Sequence, residues 1–207
     1  MLPNVGRHPF CAGAKVSGVW YNGKQESEDS VWFVKDSVFS GGVEMKRIIV
    51  IGCPGSGKST FSKSLSEKIR IPLFHLDMMF WNADRTTVEK NIFRQRLSNV
   101  MQLDEWMIDG NYQSTIELRL QACDTVFFLD YSLDTCLDGV RSRRGKARTD
   151  MPWIEKENEE DVEFIEFIKK YRSESRPVVL ELLEKYEDKK IYVFKERSEA
   201  EEFLNRL

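Results

Sequence analysis

Cysteine is sparse and scattered. Cys11, Cys53, Cys123 and Cys136 form no CxxC pair, and His8 and His75 are the only histidines. Neither a zinc framework nor a disulfide scaffold can be assembled from these spacings, and free thiols suit a reducing cytosol, so a cytoplasmic location is expected. Positive charge is not in excess: 31 Lys and Arg stand against 34 Asp and Glu, for a net charge of −3. A domain built to grip nucleic acid usually carries a strong basic surplus, so nucleic acid is not the expected partner, although a local basic patch stays open. No stretch approaches the roughly 20 apolar residues that span a bilayer. The first residues lack the uninterrupted apolar segment of a secretory signal, so neither a membrane partner nor export is expected. Internal repeats and low-complexity tracts are absent as well.

The chain does have the means to build a core. Its 207 residues are 41% hydrophobic and 31% charged, which fits one mid-sized globular domain. Residues 1–44 stand apart: they are rich in Gly, Ser and polar residues and show no helical period, and VWFVK at Val31–Lys35 is a short strand signal without a neighbour. Met45-Lys46-Arg47 then opens a buried strand and looks like a natural start. Residues 1–44 are therefore expected to be an N-terminal extension, disordered or non-native, and 45–207 the functional domain; an ordered N-terminal arm is the alternative.

From Met45 the pattern alternates. Arg47–Ile51, Leu73–Leu76, Trp106–Ile108, Thr125–Leu129 and Ile191–Phe194 are apolar runs of the kind found in doubly buried parallel strands. Between them helices are predicted near Ser59–Lys68, Val88–Met101, Ser114–Gln121, Leu133–Arg143, Val162–Tyr171 and Pro177–Lys185, with a last one at about Ser198–Leu207. This predicts an α/β fold, a five-stranded parallel sheet sandwiched by helices. Arg141–Glu160 is the most charged and least periodic stretch, and a short helical lid is expected at about 141–160.

Gly52-Cys53-Pro54-Gly55-Ser56-Gly57-Lys58-Ser59 matches G-x-x-x-x-G-K-[ST] in full, with a strand before it and a helix after it. Glycines let successive backbone N–H groups turn inward and form, with the helix N-terminus, a nest for phosphate oxygens. In such a P-loop Lys58 reaches the β- and γ-phosphates of ATP, Ser59 ligates Mg²⁺, and Thr60 extends the first helical turn. Cys53 reads as a small, partly buried thiol. A guanine-reading N-K-x-D is missing. Asp130 is followed by Tyr131 and Asp109 by Gly110, so no strand ends in the acid–Glu pair of the helicase-type or transporter-type ATPases. What remains is the small-kinase branch, whose chemistry is mainly positioning and charge neutralisation.

His75-Leu76-Asp77, Trp81, the run Trp106-Met107-Ile108-Asp109-Gly110-Asn111-Tyr112, Phe128-Leu129-Asp130 and the arginine-rich Arg141–Arg148 follow in order. Together with the P-loop, they resemble the adenylate-kinase-like proteins called DNA topology modulation proteins (FlaR-like), over about residues 45–205. The resemblance implies a P-loop small-molecule kinase with ATP and Mg²⁺ as cofactors and a small phosphoryl acceptor as partner, nucleoside- or nucleotide-like as the first expectation. It implies that Asp77, at the carboxyl edge of the second strand, orients an acceptor hydroxyl and accepts its proton; a helix-capping carboxylate is the alternative. It also implies that Asp109 holds Mg²⁺ through water or touches the acceptor, with Asn111 and Tyr112 facing the same mouth. A plain Asp-Gly-Asn turn is the competing reading there. Trp81, with Phe80 and Tyr112, is available to stack on a base or sugar.

Where an adenylate kinase continues D-G-F-P-R, this chain has D-G-N-Y-Q, so the arginine that grips a nucleoside monophosphate is missing. Arg119 is a candidate substitute, though a solvated helix charge is the commoner fate. Arg141, Arg144 and Arg148 share a face if helical and match the lid arginines of these kinases, with Arg144 and Arg148 expected to be catalytic; a basic surface helix is the alternative. Arg172 and Arg176 lie where a returning lid arm falls. His75 reads as structural, and Asp130 as either a magnesium-side acid or a polar strand end. A regulatory ATP-binding protein affecting DNA topology and a slow ATPase without acceptor are the competing functions. Monomer and homodimer are both compatible with the sequence.

Overall fold

The computed structural model describes residues 45–146, 148–153 and 162–207. The expectations for 1–44, and the part of the lid at 154–161, lie outside the described residues. The elements run β1 (Arg47–Gly52), α1 (Lys58–Ile69), β2 (Leu73–His75), α2 (Leu76–Phe80), α3 (Lys90–Met101), β3 (Trp106–Asp109), α4 (Gln113–Ala122), β4 (Thr125–Leu129), α5 (Leu133–Arg143), α6 (Val162–Lys185), β5 (Lys190–Phe194) and α7 (Arg197–Asn205).

The five strands form one parallel sheet in the order β2-β3-β1-β4-β5. Ile48–Ile51 of β1 are wholly buried, as a central strand covered on both faces must be. From β1 the chain moves outward to β2, returns through β3, and then crosses β1 to β4 on the far side. The carboxyl ends of β1, β3 and β4 therefore meet at the reversal point, where open α/β sheets bind their ligands.

The helices cover the sheet through apolar stripes of helical period. α3 buries Phe93, Leu97 and Val100, and α1 buries Phe61 and Leu65. One face holds Leu76, Phe93, Leu97, Trp106, Ile108, Ile116 and Leu120. On the other, the rings of Phe61, Phe127, Tyr192, Phe194 and Phe203 meet at centroid distances between 4.9 and 6.5 Å. Among the described residues no helix is long and apolar enough to cross a membrane.

Three local expectations are corrected. β2 stops at His75, so Asp77 sits in the first turn of α2 rather than at a strand end. The segments 162–171 and 177–185 are one helix of 24 residues with Pro177 inside it. An interior proline costs a helix about 3 kcal/mol. Here burial of Ile168 and Tyr171 before it and Val179 and Leu183 after it offsets that cost. Finally, α5 ends at Arg143, Arg144 lies in a turn with non-helical dihedrals, and 148–153 is bend and coil, so Arg141, Arg144 and Arg148 do not share a helical face.

Candidate active site

The loop between β1 and α1 takes the backbone shape its glycines permit. Gly55 and Gly57 adopt φ of 83° and 88°, and Gly57 caps α1 in the left-handed region. Gly55 has a second constraint. A Cβ on it would lie 2.0 Å from the carbonyl oxygen of Cys136, and a Cβ on Gly139 would lie 2.0 Å from the carbonyl oxygen of Gly55. The P-loop thus rests directly on the backbone of α5. Gly139 went unnoticed in the sequence; its signal is a glycine in the middle of an otherwise regular helical pattern.

Lys58 is the first residue of α1. Its Nζ donates to the carbonyls of Gly52 and Cys53, each at 2.9 Å. Burial pulls its pKa below the ordinary lysine value, while Asp109 and Asp77 act in the opposite direction. The Lys58 ammonium therefore lies against the start of the loop. Beside Ser59 lies Asp150, a buried residue of the 148–153 segment that no sequence signal marked. Arg148 pairs with the same carboxylate, Nε donating to Oδ1 at 2.9 Å and Nη2 to Oδ2. Burial alone would raise the Asp150 pKa; Arg148 and Ser59 outweigh it and hold the carboxyl well below the usual aspartate range.

The facing wall comes from β2, β3 and the turns beyond them. His75 and Asp109 are register partners on neighbouring parallel strands. His75 Nδ1 meets Asp109 Oδ1 at 2.8 Å, and although burial works against protonation, the carboxylate lifts the imidazole above its ordinary value. The other oxygen, Asp109 Oδ2, is buried and has no hydrogen-bond partner among the described residues. An orphaned buried carboxylate oxygen calls for a cation or water. Such an oxygen, like the Ser59 hydroxyl, is of the hard type that suits a magnesium ion. No group of three His, Cys, Asp or Glu converges as an all-protein metal cage among the described residues.

Tyr112 OH donates to Asp77 Oδ1 at 2.7 Å. Burial raises the Asp77 pKa; the Tyr112 hydroxyl and Lys58 pull it down without cancelling the rise. Tyr112 reaches this position from a left-handed backbone, φ 33° and ψ 72°, a strain of about 1–3 kcal/mol for a non-glycine residue. Asn111 Oδ1 accepts the Gly52 amide at 3.0 Å. Phe80 packs edge-on against Trp81 and Tyr112. Trp153 of the lid segment meets Trp81 at 5.3 Å and 90°, and Arg85 lies over the Trp153 ring.

The cleft encloses about 1940 Å³. Pro54, Gly55, Ser56, Gly57, Lys58, Ser59 and Thr60 line it together with Asp77, Trp81, Asn111, Tyr112, Arg144 and Arg148. Gly52 and Asp109 do not line it. Arg141 is outside it, exposed and bonded to Asp138 at 3.2 Å. Two residues have other work. Asp130 is not free for a metal: Arg176 clasps both its oxygens at 2.8 Å and Lys195 reaches Oδ2 at 2.6 Å. Arg119 is not a solvated helix charge but wholly buried, donating to the carbonyls of Gly110, Asn111 and Thr115.

A P-loop closing a parallel sheet at its reversal point is the architecture of a phosphate-binding α/β fold. No family model matches the chain. The chain is similar to an adenylate kinase of Encephalitozoon cuniculi (strain GB-M1), with 25% identity over 154 residues, covering 62% of this chain and 86% of that protein. Its fold is similar to that of the shikimate kinase from Bacteroides thetaiotaomicron, with a TM-score of 0.54 and 20% identity, covering 79% of this chain and 96% of that one. The shikimate kinase from Acinetobacter baumannii gives a TM-score of 0.49 at 16% identity, covering 78% and 90%.

Proposed function

We propose that the protein is a cytoplasmic phosphotransferase that moves the γ-phosphoryl group of ATP, bound with Mg²⁺, to a hydroxyl of a small acceptor, nucleoside- or nucleotide-like in the first instance. One observation carries this: the P-loop lysine and a half-buried, hydrogen-bonded aspartate open into the same cleft. An activated phosphate and a hydroxyl can be brought into line there, and for this reaction alignment supplies most of the rate.

The geometry supports a role for each residue. The inward N–H groups of Gly55, Gly57, Lys58, Ser59 and Thr60 cradle the phosphates, and Lys58 exchanges its two carbonyl contacts for β- and γ-oxygens. Ser59 and Asp109 would hold Mg²⁺, and a bound ion would supply neutralisation of the phosphate charge. Asp77 accepts the acceptor's proton as its oxygen bonds to the γ-phosphorus and the bond to the β–γ bridging oxygen breaks, leaving ADP. A raised pKa makes Asp77 a stronger base than an ordinary aspartate. Trp81, Asn111 and Tyr112 seat the acceptor. Arg144 and Arg148, on the lid at about 141–160, close on the transferring group, where a guanidinium pairs with two phosphate oxygens at once. The similarity to an adenylate kinase supports a nucleotide donor. The motif order shared with the topology modulation proteins belongs to this proposal as a kinase signature, without a role in DNA topology.

The test is an ADP-release screen of nucleosides, nucleotides and small alcohols with Mg²⁺ and ATP. K58A should lose turnover while keeping its circular dichroism. Turnover retained in K58A refutes the site.

A further inference from the structure

The turn that follows β3 is tied to both halves of the cleft. Its Asn111 side chain accepts the N–H of Gly52, the first residue of the P-loop, at 3.0 Å. One residue on, the Tyr112 hydroxyl holds Asp77 at 2.7 Å. Gly110 and Tyr112 both have positive φ, 123° and 33°; the Gly110 N–H donates to the Val50 carbonyl, and the Thr115 N–H and hydroxyl donate to the Tyr112 carbonyl. The carbonyls of Gly110 and Asn111 are held instead by a side chain from the next helix. Arg119 is wholly buried, its Nη1 donates to the Gly110 carbonyl at 2.9 Å, its Nη2 donates to the Asn111 carbonyl, and its Nε is spent on Thr115 of its own helix. No carboxylate pairs with it among the described residues. A buried guanidinium without a counter-ion is a costly way to fill a core, and an apolar side chain of the same volume would serve packing alone better. Its planar fork, by contrast, matches two successive carbonyls.

Resting on the phosphotransferase proposal, we infer that Arg119 is a positioning residue: by clamping the carbonyls of Gly110 and Asn111 it sets the Asn111 side chain against the Gly52 amide, and so tunes nucleotide affinity from the acceptor side of the cleft. Arg119 touches neither substrate. Its effect on nucleotide runs through Asn111, and that dependence separates positioning from mere packing.

The experiment is a double-mutant cycle on N111A and R119K, read by Mg²⁺-dependent binding of a fluorescent anthraniloyl-ADP, with circular dichroism and thermal melting on each variant. Loss of one neutral hydrogen bond corresponds to about a fivefold change in affinity. N111A should weaken the nucleotide about fivefold, R119K by about as much, and the double variant by no more than about fivefold. An amide NMR experiment should show Gly52 N–H exchanging faster in both single variants. If R119K still weakens binding about fivefold in the N111A background, Arg119 acts by another route and the inference is wrong. Should R119K not fold, N111A decides by itself: affinity within about twofold of wild type, or an unchanged Gly52 amide, overturns the inference. Wild-type protein that binds no nucleotide removes the phosphotransferase proposal and the inference with it. Normal wild-type binding with an additive cycle removes only the inference.

Discussion

Replacing Tyr112 by phenylalanine should move Asp77 towards protonation. The Tyr112 hydroxyl donates to Asp77 Oδ1 at 2.7 Å. A donor to a carboxylate favours the charged form, so it lowers the pKa, and its loss must raise it. A hydrogen bond to a charged group contributes about 1.5–3 kcal/mol. Lys58 still acts on the carboxylate in the variant, and cleft water can take up part of the lost contact, so the net effect lies at the lower end of that range, about 1.5 kcal/mol. The direct assay is a ¹³Cγ-aspartate NMR titration between about pH 3 and about pH 9, with Asp77 assigned by D77N. Wild-type Asp77 should titrate above the ordinary aspartate value because burial outweighs Tyr112 and Lys58, and Y112F higher still. The acid limb of turnover should shift upward with it. An unchanged or lowered Asp77 pKa in Y112F would show that the phenol does not serve the carboxylate.

Three further outcomes follow. G139A places a methyl 2.0 Å from the Gly55 carbonyl oxygen, so the P-loop must shift; nucleotide affinity should fall by at least tenfold, with a stability loss of about 1–3 kcal/mol, read by titration and thermal melting. D130N leaves the mostly buried Arg176 and Lys195 without their carboxylate; with partial solvent access to both cations discounted, urea unfolding should report a loss of about 2–4 kcal/mol. The Asp130 pKa is depressed, because Arg176 and Lys195 outweigh the effect of burial; its contribution is therefore present above the ordinary aspartate pKa and lost as pH falls through the folded value, so the D130N defect should shrink in acid. R148A should lower kcat by at least tenfold while Mg²⁺-nucleotide affinity falls much less, once an acceptor is known; equal losses in both would place Arg148 on the donor.

Much of the fold was legible along the chain. A run such as Ile48–Ile51 can only be a strand covered on both faces, and five such runs separated by helical periods admit little besides a parallel sheet sandwiched by helices. The phosphate loop was equally legible, because glycines before a lysine and a serine prescribe a backbone, and a backbone is what phosphate binding uses. These features depend on residues close in sequence.

Contacts between distant segments were not legible. Arg119 looked like any arginine on a helix; only the packing of α4 under the turn after β3 turns its fork towards two carbonyls. Asp150 and Trp153 lie in a stretch without period, and they reach Ser59 and Trp81 only because the chain folds back across the cleft. The sequence leaves Asp130 two roles; α6, running on through Pro177, brings Arg176 to it. The physical reason is common to all of these. Periodicity and turn chemistry are set by neighbours within a few residues, whereas the partner of a buried charge is chosen by whichever distant segment the sheet order brings alongside it.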